Sequence, residues 1–175
     1  MAIELHPVAA ADAERLARLY TAQREFLRPF GPVRPDEFFT LDGQAAALRQ
    51  AERERAEDRC YRFLILAGGR PVGRVGVSNV VRGAFQSAHL GYWVAREHNG
   101  RGIATDAVAQ ATRWAFGDGR LHRLEAGTLV DNAASRRVLE KNGFHRIGIS
   151  MRHLRIAGEW RDHVIYAKTA DDGDD

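Results

Sequence analysis

The sequence predicts a single α/β domain of the mixed α+β kind, and three observations predict it. Stretches of period two interchange with stretches of helical period, giving a strand-rich middle followed by β-α-β-α-β-β. The length of 175 residues is that of one ordinary domain, large enough to bury about two-thirds of its unfolded surface without a covalent staple. A share of 45% hydrophobic and 28% charged residues is a globular mixture rather than a disordered one.

Ile3 to Val8 alternates apolar and polar residues and contains Pro7, which predicts a short edge strand. Ala11 to Phe26 carries Leu16, Leu19 and Tyr20 at helical spacing. Residues 28–38 hold Pro29, Pro32 and Pro35 and cannot form regular helix, so they read as a loop with exposed aromatics. Thr40 to Glu57 is a second, more polar helix. Arg59 to Ala67 and Pro71 to Val81 are strands joined by a tight turn at Gly68-Gly69. Gln86 to Ala95 is a further strand, Gly102 to Phe116 a helix and Leu121 to Val130 a Leu- and Val-rich strand that reads as central. Asn132 to Asn142 is a helix stopped by Gly143. Phe144 to Ile156 and Trp160 to Lys168 are strands joined at Ala157-Gly158. There is no internal repeat and no interdomain linker. Residues 170–175 read as a disordered acidic tail.

Composition excludes several function classes. Cys60 is the only cysteine, so an intrachain disulfide and a cysteine-based metal site are out, which fits a reducing cytoplasm. The longest apolar run, Phe63-Leu64-Ile65-Leu66-Ala67, is too short for a bilayer span, and residues 1–20 lack the apolar core of a signal peptide. The expectation is a cytoplasmic protein with no membrane partner. The net charge of +3 hides Asp171, Asp172, Asp174 and Asp175; without them the chain carries +7. Such a body attracts anions, either nucleic acid or a phosphorylated cofactor, unless the charge is simply a solvated basic surface. The arginines are scattered, with no interleaved aromatic ladder, so nucleic acid is the least favoured partner.

Residues 90–105 carry the chemistry. A strand runs into a loop with Gly100 and Gly102, and the loop opens a helix whose Ile103, Ala107, Val108, Ala111 and Ala115 share one face. Glycines let the main chain turn tightly and approach a ligand. The first amides of the helix lack intrahelical acceptors and point at the loop, where the macrodipole adds roughly 0.3–1 kcal/mol for a nearby negative charge. Arg101 adds a charge-assisted contact. This is a cradle for phosphate or pyrophosphate. A dinucleotide fingerprint needs a third glycine where Thr105 stands, and a P-loop needs Gly-Lys-Ser/Thr, which is absent. The bland alternative is a glycine-rich helix start that binds nothing. In the second segment, Asp131 to Phe144, Asn132 is a natural N-cap with Ser135 in the first turn, so both residues either cap a helix or face a ligand at the carboxyl end of a central strand.

At these residues the chain resembles the GNAT superfamily of N-acetyltransferases. The family's acetyl-CoA pattern, Gln/Arg-x-x-Gly-x-Gly/Ala, falls on Asn99-Gly100-Arg101-Gly102-Ile103-Ala104, with Asn99 as the departure. Asn132-x-x-Ser135 through Glu140-Lys141-Asn142-Gly143-Phe144, and Gly158-Glu159-Trp160-Arg161-Asp162-His163, resemble the RimJ/RimL ribosomal-protein branch. Residues 86–168 carry the match, and residues 1–70 fit it in pattern only. The resemblance implies one acetyltransferase domain over residues 1–169. Its expected form is a mixed, mostly antiparallel central sheet of about six or seven strands, with helices on both faces and a splayed central strand pair.

It further implies that the cleft between the strands ending at Val94 and near Val130 takes the pantetheine of acetyl-CoA. Backbone groups of Trp93 and Val94 pair with the pantetheine amides, the 99–104 loop wraps the pyrophosphate, and Asn132 bonds the pantetheine arm. Ser135 is the candidate acid for the departing thiolate, and Arg137 reaches a phosphate. No metal is implied. The acceptor is an amine, either a peptide N-terminus or a small molecule such as an antibiotic or metabolite, and a homodimer is left open. Direct attack is expected because Cys60 is far from the motifs. An α-amine of pKa near 8 is roughly 10% neutral at pH 7 and a lysine only roughly 0.04%, so an α-amine needs modest base assistance. Glu125 and His89 are the candidate bases, each with a structural alternative: an ion pair with an arginine, and an exposed strand histidine. The loop with Pro29, Phe30, Pro32, Pro35, Phe38 and Phe39 either walls the acceptor pocket or packs on the core. A CoA-binding module without turnover is the competing class.

Overall fold

The computed structural model describes residues 2–171. Seven strands form one sheet in the order β1-β2-β3-β4-β5-β7-β6. They are β1 (Ile3–Pro7), β2 (Cys60–Ala67), β3 (Arg70–Val81), β4 (Ser87–Val94), β5 (Arg123–Leu129), β6 (His145–Ile156) and β7 (Glu159–Thr169). The helices are α1 (Ala13–Leu27), α2 (Leu41–Ala56), α3 (Ile103–Phe116) and α4 (Ala133–Lys141). β1 lies at the edge, as Pro7 requires. Every pairing is antiparallel except β4 with β5.

The alternation along β2 puts helices on both faces. Phe63, Ile65 and Ala67 enter a core built with α3, including Ile103, Ala107, Val108, Ala111 and Ala115. Leu64 and Leu66 point the other way and pack with Ala13 and Leu16 of α1 and Leu48 and Ala51 of α2. The alanine face of α3 is fully buried, and its small side chains bring the helix axis close to the sheet. Thr40 caps α2 by accepting from Gly43 N at 3.0 Å. The proline-rich stretch forms two single 3-10 turns, Arg28–Phe30 and Asp36–Phe39, around an irregular span.

The parallel pair opens early. β4 and β5 pair only at Ser87, Ala88 and His89 with Arg123, Leu124 and Glu125, and beyond that the strands diverge into a V. β4 stays bonded to β3 along its other edge as far as Val94 opposite Gly73. A Cβ on Gly73 would lie 2.3 Å from Trp93 O and 2.9 Å from Val94 Cα, both main-chain atoms. Gly73→Ala is therefore expected to lower stability by about 2 kcal/mol through overpacking, read as a lower urea midpoint. An unchanged midpoint would contradict this close approach.

The chain stays engaged two residues past the expected boundary, because Ala170 N donates to His122 O at 2.8 Å and Asp171 Oδ2 lies 3.9 Å from His122 Nδ1. The rest of the expected tail, from residue 172, lies outside the described residues. No helix among them is long and apolar enough to cross a membrane.

Candidate active site

Two cavities meet at the mouth of the V. The first, of about 480 Å³, runs from the start of α3 to the start of α4 and is lined in part by Asn99, Gly100, Gly102, Asn132, Ser135 and Arg137. Ile103, Ala104, Trp93 and Val94 line it as well. The glycine loop and the second motif, about thirty positions apart in sequence, are thus walls of one groove. Asn142 ties them together: its side chain donates to Val138 O in α4 at 2.8 Å and to Thr105 O in α3 at 3.2 Å.

The cradle is open. Gly100 and Gly102 have φ of +75° and +79°, the left-handed region that glycine occupies without strain. Among the described residues, the amides of Gly100 through Thr105 have no protein acceptor. They form the run of unpaired donors expected at a helix start. His98 Nδ1, buried beside them, also lacks a partner. Arg137 and Lys141 line the groove and no carboxylate does. These donors fit the phosphates of a nucleotide-bearing carrier. Arg101 departs from expectation. It is exposed and lies outside the groove, because the left-handed glycines on either side turn it to solvent.

The main-chain pairing expected of Trp93 and Val94 is corrected by one residue. Gln86 O accepts from Arg123 N on the β5 side, whereas Ala95 N donates to Val72 O on the β3 side. Main-chain groups alternate edges along a strand, so those of Tyr92 and Val94 face the V while those of Trp93 face β3. Trp93 instead offers its ring, packed on Tyr20 at 5.1 Å between centroids.

Asn132 does cap α4, accepting from Ser135 N at 3.1 Å. That bond uses its carbonyl oxygen and leaves the amide nitrogen without a partner among the described residues. Ser135 does not cap. Its Oγ lies 2.9 Å from the Tyr92 hydroxyl, which also donates to Ser135 O at 3.1 Å. Burial pushes the Tyr92 pKa up to about 12, against the lowering effect of the Ser135 hydrogen bond, so the hydroxyl is protonated throughout the neutral range. Tyr92 lines both cavities, and the sequence reading missed it. The signal for it was a tyrosine with its neighbours Leu90 and Val94 on a core-facing strand, whose hydroxyl needs a partner.

The second cavity, about 420 Å³, shares Leu27, Phe30, Tyr92 and Trp93 with the groove. Phe38 and Phe39 wall it, with Tyr20 edge-on to Phe38 at 4.8 Å. The β6–β7 turn closes one side through Ala157 N donating to Gly31 O at 3.0 Å. Phe30 and Pro32 of the proline-rich stretch thus line a cavity rather than the core; Pro29 and Pro35 do not line it.

Glu125 of β5 and His89 of β4 pair at the apex of the V, on the face of the sheet that also carries Trp93, and line neither cavity. Glu125 is held by Arg123 Nε at 2.9 Å, with His89 Nε2 3.8 Å away. His89 Nδ1 lies 3.0 Å from Asn79 Nδ2. Beside them stand His153, which the sequence reading did not single out, and the buried His163, which it quoted only as the end of the Gly158–His163 motif; their ring centroids are 5.3 Å apart. Burial lowers the His153 pKa, and His163 and His89 lower it further. Nothing local in the sequence flags His153, which reaches this place through a register shift in β6. No group of His, Cys, Asp or Glu able to hold a metal ion occurs among the described residues.

Comparison with known proteins agrees with this geometry. The profile of the acetyltransferase (GNAT) domain matches residues 2–145. The chain is 37% identical over 167 residues to the probable N-acetyltransferase YjcK of Bacillus subtilis, covering 94% of this chain and 92% of that one. It is 32% identical to the [ribosomal protein uS5]-alanine N-acetyltransferase of Escherichia coli, covering 92% and 84%. The structure of Mycobacterium smegmatis RimJ in complex with CoA-disulfide superposes with a TM-score of 0.95 at 34% identity, covering 99% of this chain and 84% of that one. A V-shaped parallel pair beside an open amide cradle, in a chain with these relatives, makes this protein an acetyltransferase of the GNAT family.

Proposed function

We propose that the protein transfers the acetyl group of acetyl-CoA to the α-amine of a protein N-terminus by direct attack. The observation that carries this reading is the junction itself: the Tyr92–Ser135 pair stands where the phosphate-fitting groove meets the aromatic cavity. The amides of residues 100–105 would hold the pyrophosphate, with Arg137 and Lys141 at the phosphates, the Asn132 amide nitrogen on the pantetheine arm, and Tyr92 and Val94 main-chain groups along it. A main-chain N–H facing the V would meet the developing charge on the thioester oxygen. Ser135 would deliver its hydroxyl proton to the departing thiolate as the Tyr92 hydroxyl turns to donate to Ser135 Oγ, and the pair would regain one proton from solvent. The amine enters through the aromatic cavity in neutral form, and Glu125, His89 and His153 are the groups that would take up its proton, through water. The RimJ and uS5-alanine relatives favour a protein N-terminus over a small amine.

Two measurements test the reading. Acetyl-CoA at about one hundred times its Kd should stabilise the fold by about 2.7 kcal/mol, a rise in Tm of several degrees. No shift, with no heat of binding by calorimetry, removes the carrier assignment. An amine panel assayed for thiol release should then rank peptides beginning with Ala, Ser or Met above polyamines and aminoglycosides. The opposite order assigns a small-molecule acceptor, and binding without release on any amine assigns a module that does not turn over.

A further inference from the structure

The acceptor cavity has a charge pattern that the transfer chemistry alone does not need. Its inner end, at Tyr92 and Trp93, is aromatic, and its charged lining consists of Arg24, Arg28 and Arg34, with no carboxylate among the lining residues. Two of these arginines have partners: Arg24 bonds Asp36 at 2.5 Å, and Arg28 meets Glu25 at 3.5 Å in an exposed, weak pair. Arg34 has no ion pair; it is exposed and lines the cavity, with its guanidinium over the Phe38 ring at 4.7 Å from the centroid. Behind that wall Arg74 donates to the Tyr20 hydroxyl at 2.8 Å and likewise has no carboxylate. Glu37 is exposed and outside the lining.

Resting on the reading that the acceptor is an N-terminal α-amine, we propose that this cavity selects peptides with acidic side chains in the first few residues after the amine. Two physical effects act together. A guanidinium with no carboxylate partner, resting over an aromatic ring, has less rotamer freedom to lose when it binds and keeps its donors available to a carboxylate, with bidentate geometry open to it. A cationic rim also disfavours the ammonium form of the incoming amine, raising the neutral fraction that attacks, and it repels basic peptides outright. The aromatic inner wall takes the first side chain, and the arginine rim takes those that follow.

The test uses the intact enzyme and three peptides beginning with Ala that differ only in the following residues, which are acidic, neutral or basic. At low ionic strength kcat/KM should fall in that order, with acidic over basic by at least about tenfold, and the spread should shrink as salt rises. Arg34→Glu should reverse the order of the acidic and basic peptides, and Arg28→Glu should narrow the spread. Both side chains are at the surface, and the melting temperature of each variant confirms folding. Equal rates on the three peptides, or an order that Arg34→Glu leaves unchanged, overturn this selectivity while leaving N-terminal acetylation standing. Acetylation of none of them by an enzyme that still binds acetyl-CoA overturns the N-terminal reading itself, and this selectivity with it.

Discussion

Gly102→Val should abolish acetyl-CoA binding while the domain stays folded. Gly102 lines the groove, is the N-cap of α3 and sits at φ +79°. A β-branched residue there carries about 1–3 kcal/mol of strain. An added Cβ meets no protein atom within 4 Å, so the core is untouched and the side chain occupies the open space in front of the unpaired amides. Shifting those donors and filling their concavity removes the phosphate contacts together, and the expected rise in Kd is at least a hundredfold, about 2.7 kcal/mol. Gly83→Val is the matched control. Gly83 has φ +71°, also faces open space and lies in the β3–β4 connection away from the groove. It should carry a similar strain and bind acetyl-CoA normally. Equal binding by the two variants would show that the 99–104 loop does not hold the carrier.

The second large effect is on turnover. Ser135→Ala and Tyr92→Phe should each lower kcat by about a hundredfold, the lower range for a lost general acid, with little change in acetyl-CoA affinity. Their hydroxyls form one 2.9 Å pair, so the double variant should lose scarcely more than either single one. Asn132→Ala separates chemistry from capping. It removes the bond to Ser135 N, and it should lower stability by about 1 kcal/mol as a lost N-cap. Should Ser135→Ala instead lower affinity and turnover by the same factor, or reduce stability as Asn132→Ala does, Ser135 is a structural residue of α4 and the proton for the thiolate comes from elsewhere.

Several of these elements were readable from local chemistry. The edge position of β1 follows from Pro7, the end of α4 from Gly143, and the buried face of α3 from the spacing of Ile103, Ala107, Val108, Ala111 and Ala115. The run of unpaired amides at the glycine loop was readable because a helix start leaves amides unpaired wherever it occurs. Other features were not readable, for identifiable reasons. Which main-chain groups face the V depends on which neighbour lies on each side of β4, and side-chain periodicity carries no information about that; hence the shift from Trp93 to Tyr92. Arg101 looked suitable by charge and position, and only the two left-handed glycines around it decide that it turns to solvent. The Tyr92–Ser135 pair joins a strand to a helix 43 residues away, and His153 reaches the Glu125–His89 group across a shifted register in β6.

The sequence by itself determined the order and nature of the elements, the unpaired amides of the glycine loop and the capping of α4, because each depends on interactions within a few residues. The tertiary structure alone decided that loop and cap face one groove, that a second cavity with an arginine rim joins it at Tyr92, and that the Glu125–His89 group stands apart at the apex. Those facts depend on how β4 and β5 diverge and how the β6–β7 turn folds back onto Gly31. Sheet order and long-range packing set that geometry, and no short stretch of chain encodes it.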